Sequence, residues 1–322
     1  MENNLFITCF RNFSIEGSTG EYFELLPGIC LTNDEREMKR LLSNDLRKII
    51  GVIEYDHLKR SDHLVFCRFG DEVFKELESD RILLVLLLWV KSLFRTAWII
   101  KDHCYECDAA FLIRREMQRK QCSSNFLAQR PLLADESIEE IPFKSDELEA
   151  WKSLHHRIEV YLHGAKSTEI DFFMEKSYCR SGRALHFVNS ARTSTSSPFR
   201  IAHSCSALET LFSTDSSELS HKLSERVAFF LGGLGYSKVE VFKNMKAAYN
   251  VRSKLTHGDS LSSKLLEGLP QVAGILDGYL RTIFSPFFGD YWAVEHIDVA
   301  PGKNRCHFSK HDTRGGKVSH LS

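Results

Sequence analysis

The chain of 322 residues has a formal net charge of −1 and is 43% hydrophobic, enough length and apolar content for two folded domains. That balance excludes a disordered polyelectrolyte, and it excludes attraction of nucleic acid by overall charge, so any RNA site must be a local basic patch. Nine cysteines, an odd number without regular spacing, fit a reducing cytoplasm better than a disulfide framework, and the start MENNLFITCF lacks the basic stretch and long apolar core of a signal peptide.

Residues 1–144 mix short strand-like runs with helices and read as an α+β domain. Strands are predicted at Leu5–Phe10, Tyr22–Leu26, Ile50–Tyr55 and Leu64–Phe69, between turns containing Gly or Asp, with another at Ala109–Ile113. Asn33 or Asp34 starts a helix that runs through Lys48. The run Ile82–Ile100, ILLVLLLWVKSLFRTAWII, has the length of a membrane span, but Lys91 and Arg95 interrupt it and Asp80 and Arg81 precede it. It reads as the domain's central core helix, not a membrane contact, with the Lys91/Arg95 face reaching water or a partner.

His103-Cys104-x-x-Cys107, with Cys122 downstream, is the one metal-like cluster. A zinc site needs a second ligand pair, and adjacent His103 and Cys104 converge poorly on one ion, so buried free thiols are expected, with no metal and no cofactor.

The acidic segment Leu132–Ser145, which contains Pro142, reads as a connector. Helical periodicity then takes over, at Asp146–Leu162 and Ile170–Ala191, and Ser197-Pro198 looks like an N-cap followed by Pro in the first turn. Ser216 or Ser217 caps the next helix, whose stripe is Leu219, Leu223, Val227 and Leu231 and whose end is Gly232-Gly233. Glu218/Lys222 and His221/Glu225 fit solvated i,i+4 pairs on it. Leu261–Phe284 supplies another helix, and the short loops favour an antiparallel bundle over 145–290. The remainder, 291–322, carries Lys303, Arg305, Lys310, Arg314 and Lys317 and reads as a solvated basic tail, or more sharply as a flexible contact for RNA phosphates.

One helix concentrates chemistry. From Val239, the apolar positions Val241, Met245, Ala248 and Leu255 recur at helical spacing, and Arg252 sits in the same stripe. A guanidinium on a core-facing stripe needs a partner, and Glu209, between Cys205 and Phe212 on the apolar face of an earlier helix, is the chosen one. His257 precedes Gly258, a C′ residue; the helix dipole favours its protonated form and a nearby Arg opposes it. A histidine exchanging protons near neutral pH beside a permanent cation is what metal-free phosphodiester chemistry needs. Arg and His at similar spacing also occur at Arg157/His163, Arg180/His186, Arg305/His311 and Arg314/His320, so context singles out Arg252 and His257.

The segments ALETLF, ELSHKLSERVAFFL and NVRSKLTHG, in that order, resemble the HEPN domain of the ApeA-like group. The similarity covers about half the chain, near 145–285, and the three segments carry it. It implies an all-α domain that dimerises and brings two R-x4–6-H motifs into one cleft, in many members as a metal-independent endoribonuclease of anti-phage defence or as a toxin. By resemblance, Arg252 and His257 are the catalytic pair, Glu209 and Asn250 support them, and Lys254, Lys222 and Arg226 contact RNA. Members often carry Asn, Asp or His after the Arg, where this chain has Ser253. The implied partners are RNA, tRNA included, a second copy of the chain, and a trigger or antitoxin protein. Two other readings stay open: a HEPN module that docks RNA, a nucleotide or a protein without cutting, and a structural Arg252–Glu209 pair with His257 merely ending its helix.

Overall fold

The computed structural model describes residues 4–116, 119–168, 170–213 and 219–287. The tail and the caps expected at Ser216 or Ser217 lie outside them, as does Glu218 of the expected pair with Lys222.

The N-terminal region is α+β. Its strands are β1 (Asn4–Thr8), β2 (Phe13–Glu16), β3 (Phe23–Leu26) and β4 (Ile29–Thr32), then β5 (Leu64–Phe69) beyond three short helices. Those helices are α1 (Glu35–Leu41), α2 (Asn44–Ile50) and α3 (Val52–Arg60); after β5 come α4 (Ser79–Ile100), β6 (Ala110–Glu116), β7 (Arg119–Asn125) and β8 (Ile141–Lys144). A six-stranded antiparallel sheet runs β3-β4-β5-β1-β6-β7, and β2 and β8 form a separate parallel pair.

Both faces of the sheet are covered, so its central strands are apolar on both sides. Phe6, Val65, Cys67 and Leu112 pack with α4, whereas Ile7, Leu64, Phe66 and Phe111 pack with Leu41, Leu46, Ile50 and Leu58 of α1–α3. This alternation is the period-2 signature of strands sandwiched between helical layers.

An all-α bundle follows: α5 (Ser145–Gly164), α6 (Arg180–Arg192), α7 (Ser197–Phe212), α8 (Leu219–Gly233), α9 (Lys238–His257), α10 (Ser263–Glu267) and α11 (Leu269–Phe287). The chain is thus an α+β region followed by a helical bundle, and mainly helical overall. The two cores meet along α4 and α5. The buried apolar residues of α4 from Ile82 to Ala97 belong to the sheet core while Trp98 and Ile99 enter the bundle core; on α5, Leu148 and Trp151 face the sheet side and Leu154, Ile158 and Leu162 the bundle.

α4 is long and apolar enough to cross a membrane by length and composition, and most of it is buried against other elements. Arg95 on it finds its partner internally, donating to Glu159 Oε1 of α5 at 2.7 Å.

Several predicted elements are displaced. Ile50–Tyr55 is not a strand: α2 ends at Ile50, Gly51 takes φ +99°, and α3 begins at Val52. A six-residue apolar run satisfies either period, and here Val52 and Ile53 sit exposed on the first turn of a helix. The helix expected from Asp34 through Lys48 is two. Asp34 caps α1 by accepting from Arg36 and Glu37 N–H, and Ser43 stops it and caps α2. The helix expected over Ile170–Ala191 begins only at Arg180. The preceding segment is irregular, organised by Asp171 accepting from Thr168 N–H and hydroxyl and by Cys179 N–H donating to Ser167 Oγ at 2.7 Å. The cap of α7 is Ser196, one residue earlier than expected, and the Ser197 hydroxyl donates to Glu136 instead. The predicted Leu261–Phe284 helix is split into α10 and α11 at Gly268.

Candidate functional site

The stretch predicted to carry the chemistry folds as α7, α8 and α9 packed together. Ser237 caps α9 by accepting from Glu240 N–H, and Val241, Met245, Ala248 and Val251 form its buried stripe. Val251 takes the innermost place that periodicity assigned to Leu255, which is half-buried. The helix ends at Gly258, whose φ of +76° suits a residue without a Cβ. Gly258 N–H reaches Leu255 O and Asp259 N–H reaches Lys254 O at 2.9 Å, a Schellman closure that satisfies the last carbonyls.

Arg252 lies at the edge of the buried stripe and meets Glu209 of α7. Its Nη2 is 3.4 Å from Glu209 Oε2, its Nη1 donates to the Tyr249 hydroxyl at 3.4 Å, and its guanidinium lies over the Tyr249 ring, 5.3 Å from the centroid. These contacts use two of the five guanidinium N–H donors. Glu209 Oε1 is buried and, among the described residues, accepts no hydrogen bond. Burial raises the Glu209 carboxyl above its ordinary range, opposed by Arg252 and by the nearby Tyr249 hydroxyl. Tyr249 is raised as well, by burial first and then by the Glu209 charge.

His257 is elsewhere on the same helix. Five residues along an α-helix pass one full revolution and about 140° more, with a rise of about 7.5 Å. Arg252 therefore looks inward to α7 while His257 is exposed at the helix end. Within one chain Arg252 and His257 do not converge. Asn250 is exposed and Lys254 half-buried on the outward side with His257.

The other predicted RNA contacts sit apart from this face. Arg226 on α8 donates through Nη1 to Phe212 O at 2.8 Å, and Arg180 donates through Nε to Thr210 O at 2.6 Å, so both close the C-terminal carbonyls of α7. Lys222 is half-buried on α8.

A feature the sequence did not reveal lies between α8 and α9. A cleft of about 700 Å³ is lined by Leu219, Ser220 and His221 from the start of α8 and by Lys246 and Tyr249 from α9. His221, read as one end of a solvated pair with Glu225, instead sets its ring edge-on against Phe242, with centroids 5.4 Å apart. Lys246 Nζ donates to Ser220 Oγ at 3.2 Å across the cleft. Tyr249 belongs to both places: it lines the cleft and carries Arg252 on its ring.

The His103/Cys104/Cys107 side chains diverge. His103 stacks on Tyr105 at 3.9 Å, contacts Phe94 O through Nε2 at 2.8 Å and takes Tyr105 N–H on Nδ1. Cys104 donates to Glu139 O at 3.1 Å, while Cys107 lies 3.3 Å from Thr8 Oγ1. Both thiols are free and buried, and among the described residues no group of three or more His, Cys, Asp or Glu is placed to share a metal ion.

Comparison with protein-family models, with curated proteins and with solved structures finds no match for this chain.

Proposed function

We propose that the helical bundle is a HEPN-type domain acting as a metal-independent endoribonuclease. Arg252 is the observation that carries this reading: it is held by a half-buried carboxylate and an aromatic face with donors to spare, on the helix whose last turn presents His257. In the proposed reaction the RNA 2′-OH gives its proton to His257 as its oxygen attacks the adjacent phosphorus, the P–O5′ bond breaks, O5′ leaves with a proton returned by His257, and a 2′,3′-cyclic phosphate remains. His257 moves the proton, and Arg252 stabilises charge building on the non-bridging oxygens. Glu209 and Tyr249 orient the guanidinium, and Asn250 supports the motif.

Because Arg252 and His257 diverge on one helix, the proposal requires a second copy of the chain, packed through the bundle about a two-fold axis, to pair one protomer's His257 with its partner's Arg252. RNA is the proposed substrate, with tRNA the first to test. The N-terminal α+β region is assigned to sensing a trigger or antitoxin protein, in anti-phage defence or a toxin system.

The same divergence, with Ser253 after the Arg, favours a second reading: a HEPN-like module that binds RNA, a nucleotide or a protein without cutting. The deciding experiment incubates the chain, Arg252→Ala and His257→Ala with total RNA and with tRNA in excess EDTA. Product ends are analysed for cyclic phosphate and folding is followed by circular dichroism. Cleavage by the unsubstituted chain, lost in both folded variants, is expected. Cleavage that persists in folded His257→Ala refutes the assigned site, and absence of cleavage by a dimer that binds RNA favours the docking module.

A further inference from the structure

The surface of α9 that faces outward is patterned. Lys246, Tyr249, Asn250, Ser253 and His257 follow the spacing i, i+3, i+4, i+7, i+11, which keeps them within about 100° of arc over about 16 Å of helix. Lys246, Asn250 and His257 are exposed, and Tyr249 and Ser253 half-buried. The face is polar and hydrogen-bonding along its whole length. At one end it opens into the cleft shared with Leu219, Ser220 and His221; at the other stands His257.

The cleft holds the elements that grip one nucleotide of a single strand. Two rings, Tyr249 and His221, offer surfaces for a base, and base–aromatic stacking tolerates any sequence because every base has a π-face. Lys246 is an ammonium that donates to the Ser220 hydroxyl and, among the described residues, has no carboxylate within ion-pair distance, so its charge is available to a phosphate. Arg252 is about 60° further round the helix from Tyr249, away from this face, and its guanidinium sits over the Tyr249 ring. A strand bound in the cleft is thereby coupled to the motif through Tyr249.

We infer that single-stranded RNA enters each protomer through the cleft between α8 and α9 and follows the Lys246–Tyr249–Ser253 face of α9 to His257. The inference takes its ligand class from the nuclease reading and adds what that reading lacks: residues that hold the strand on one side of the reacting phosphate. Lys246 contacts a phosphate, His221 and Tyr249 hold the adjoining base, and Asn250 and Ser253 contact the backbone on the way to His257. The strand-holding cations thus differ from Lys222 and Arg226, neither of which lines the cleft.

Binding can be read without cleavage. A fluorescein-labelled oligonucleotide of 2′-O-methyl RNA has no free 2′-OH to attack, so its anisotropy reports the full-length chain's affinity alone. Lys246→Gln and His221→Ala, both at surface positions, are compared with the unsubstituted chain over a series of salt concentrations. The expected result is an affinity loss of about five- to tenfold for each cleft variant, with the salt slope of Lys246→Gln lowered by about 0.7. Unchanged affinity and slope in both cleft variants overturns the track, as does failure of the unsubstituted chain to bind. The nuclease reading is judged separately by cyclic-phosphate products from unmodified RNA. If cleavage is seen and depends on His257 while the cleft variants bind normally, the track fails and the nuclease stands.

Discussion

Removing Arg252 tests whether Glu209 is held by charge. At 3.4 Å and an effective dielectric of about 20, Coulomb's law gives an attraction of about 5 kcal/mol between the two groups. One long contact, with side chains 28% and 18% exposed, lowers the recoverable coupling to about 1–2 kcal/mol after screening and desolvation. Glu209 already titrates above its ordinary value of 4.5 because burial outweighs Arg252. The folded state therefore holds that proton more tightly than the unfolded chain, and Glu209 costs stability progressively as pH rises through its raised value. In Arg252→Met the carboxyl loses its cation and titrates higher still. The variant's deficit should be small at pH 4 and full at pH 8, and Glu209→Gln should abolish that pH dependence in either background. Urea unfolding of the single and double variants at both pH values measures the coupling directly. A coupling below about 0.3 kcal/mol at pH 8, or a deficit that does not change with pH, would refute the argument.

Three further outcomes follow from other parts of the structure. Gly258→Ala places a Cβ at φ +76° and should lower stability by about 1 kcal/mol, whereas exposed His257→Ala should stay within about 0.5 kcal/mol; thermal melts separate the two. Arg192 is buried beneath Trp98, donates to His103 O and faces Asp102 and Asp277, so Arg192→Met should cost about 3–5 kcal/mol in denaturant unfolding, and Arg192→Lys should not restore it because the flat guanidinium over the indole is lost. His155 is buried against Thr96, with Nδ1 3.0 Å from Oγ1, and burial followed by the Arg95 charge lowers it from 6.5 to about 3. Only the unfolded chain then takes that proton between those values, so stability drains away as pH falls through the window, and His155→Gln should flatten this acid slope by up to about 1.4 kcal/mol per pH unit.

What was legible in the sequence was local. The end of α9 at Gly258 is a matter of one residue's conformational freedom, and the Arg252–Glu209 contact is implied by two charges placed on apolar stripes. The strands at Leu64–Phe69 and near Ala110 announce themselves because sheets buried on both faces read as continuous apolar runs. The cleft was not legible, since His221 and Lys246 meet only through the relative rotation of α8 and α9, which packing decides and no spacing within either helix encodes. The divergence of Arg252 and His257, by contrast, is contained in the helical repeat: five residues is far from a whole number of turns. β2 and β8 leave little trace in the sequence because each is four residues long and their pairing is parallel, joining distant parts of the chain through the acidic segment before α5.

The helix α4 gives sheet and bundle a common spine. Trp98, near its end, donates to Asp277 Oδ1 of α11 at 3.0 Å and meets Phe284 edge-on, while the same helix lines the sheet core from Ile82 to Ala97. A fragment beginning at Ser145 would lose the indole from its interior and strand the Asp277 carboxylate beside Arg281. The two halves should therefore melt in a single transition instead of two, because α4 is part of both cores.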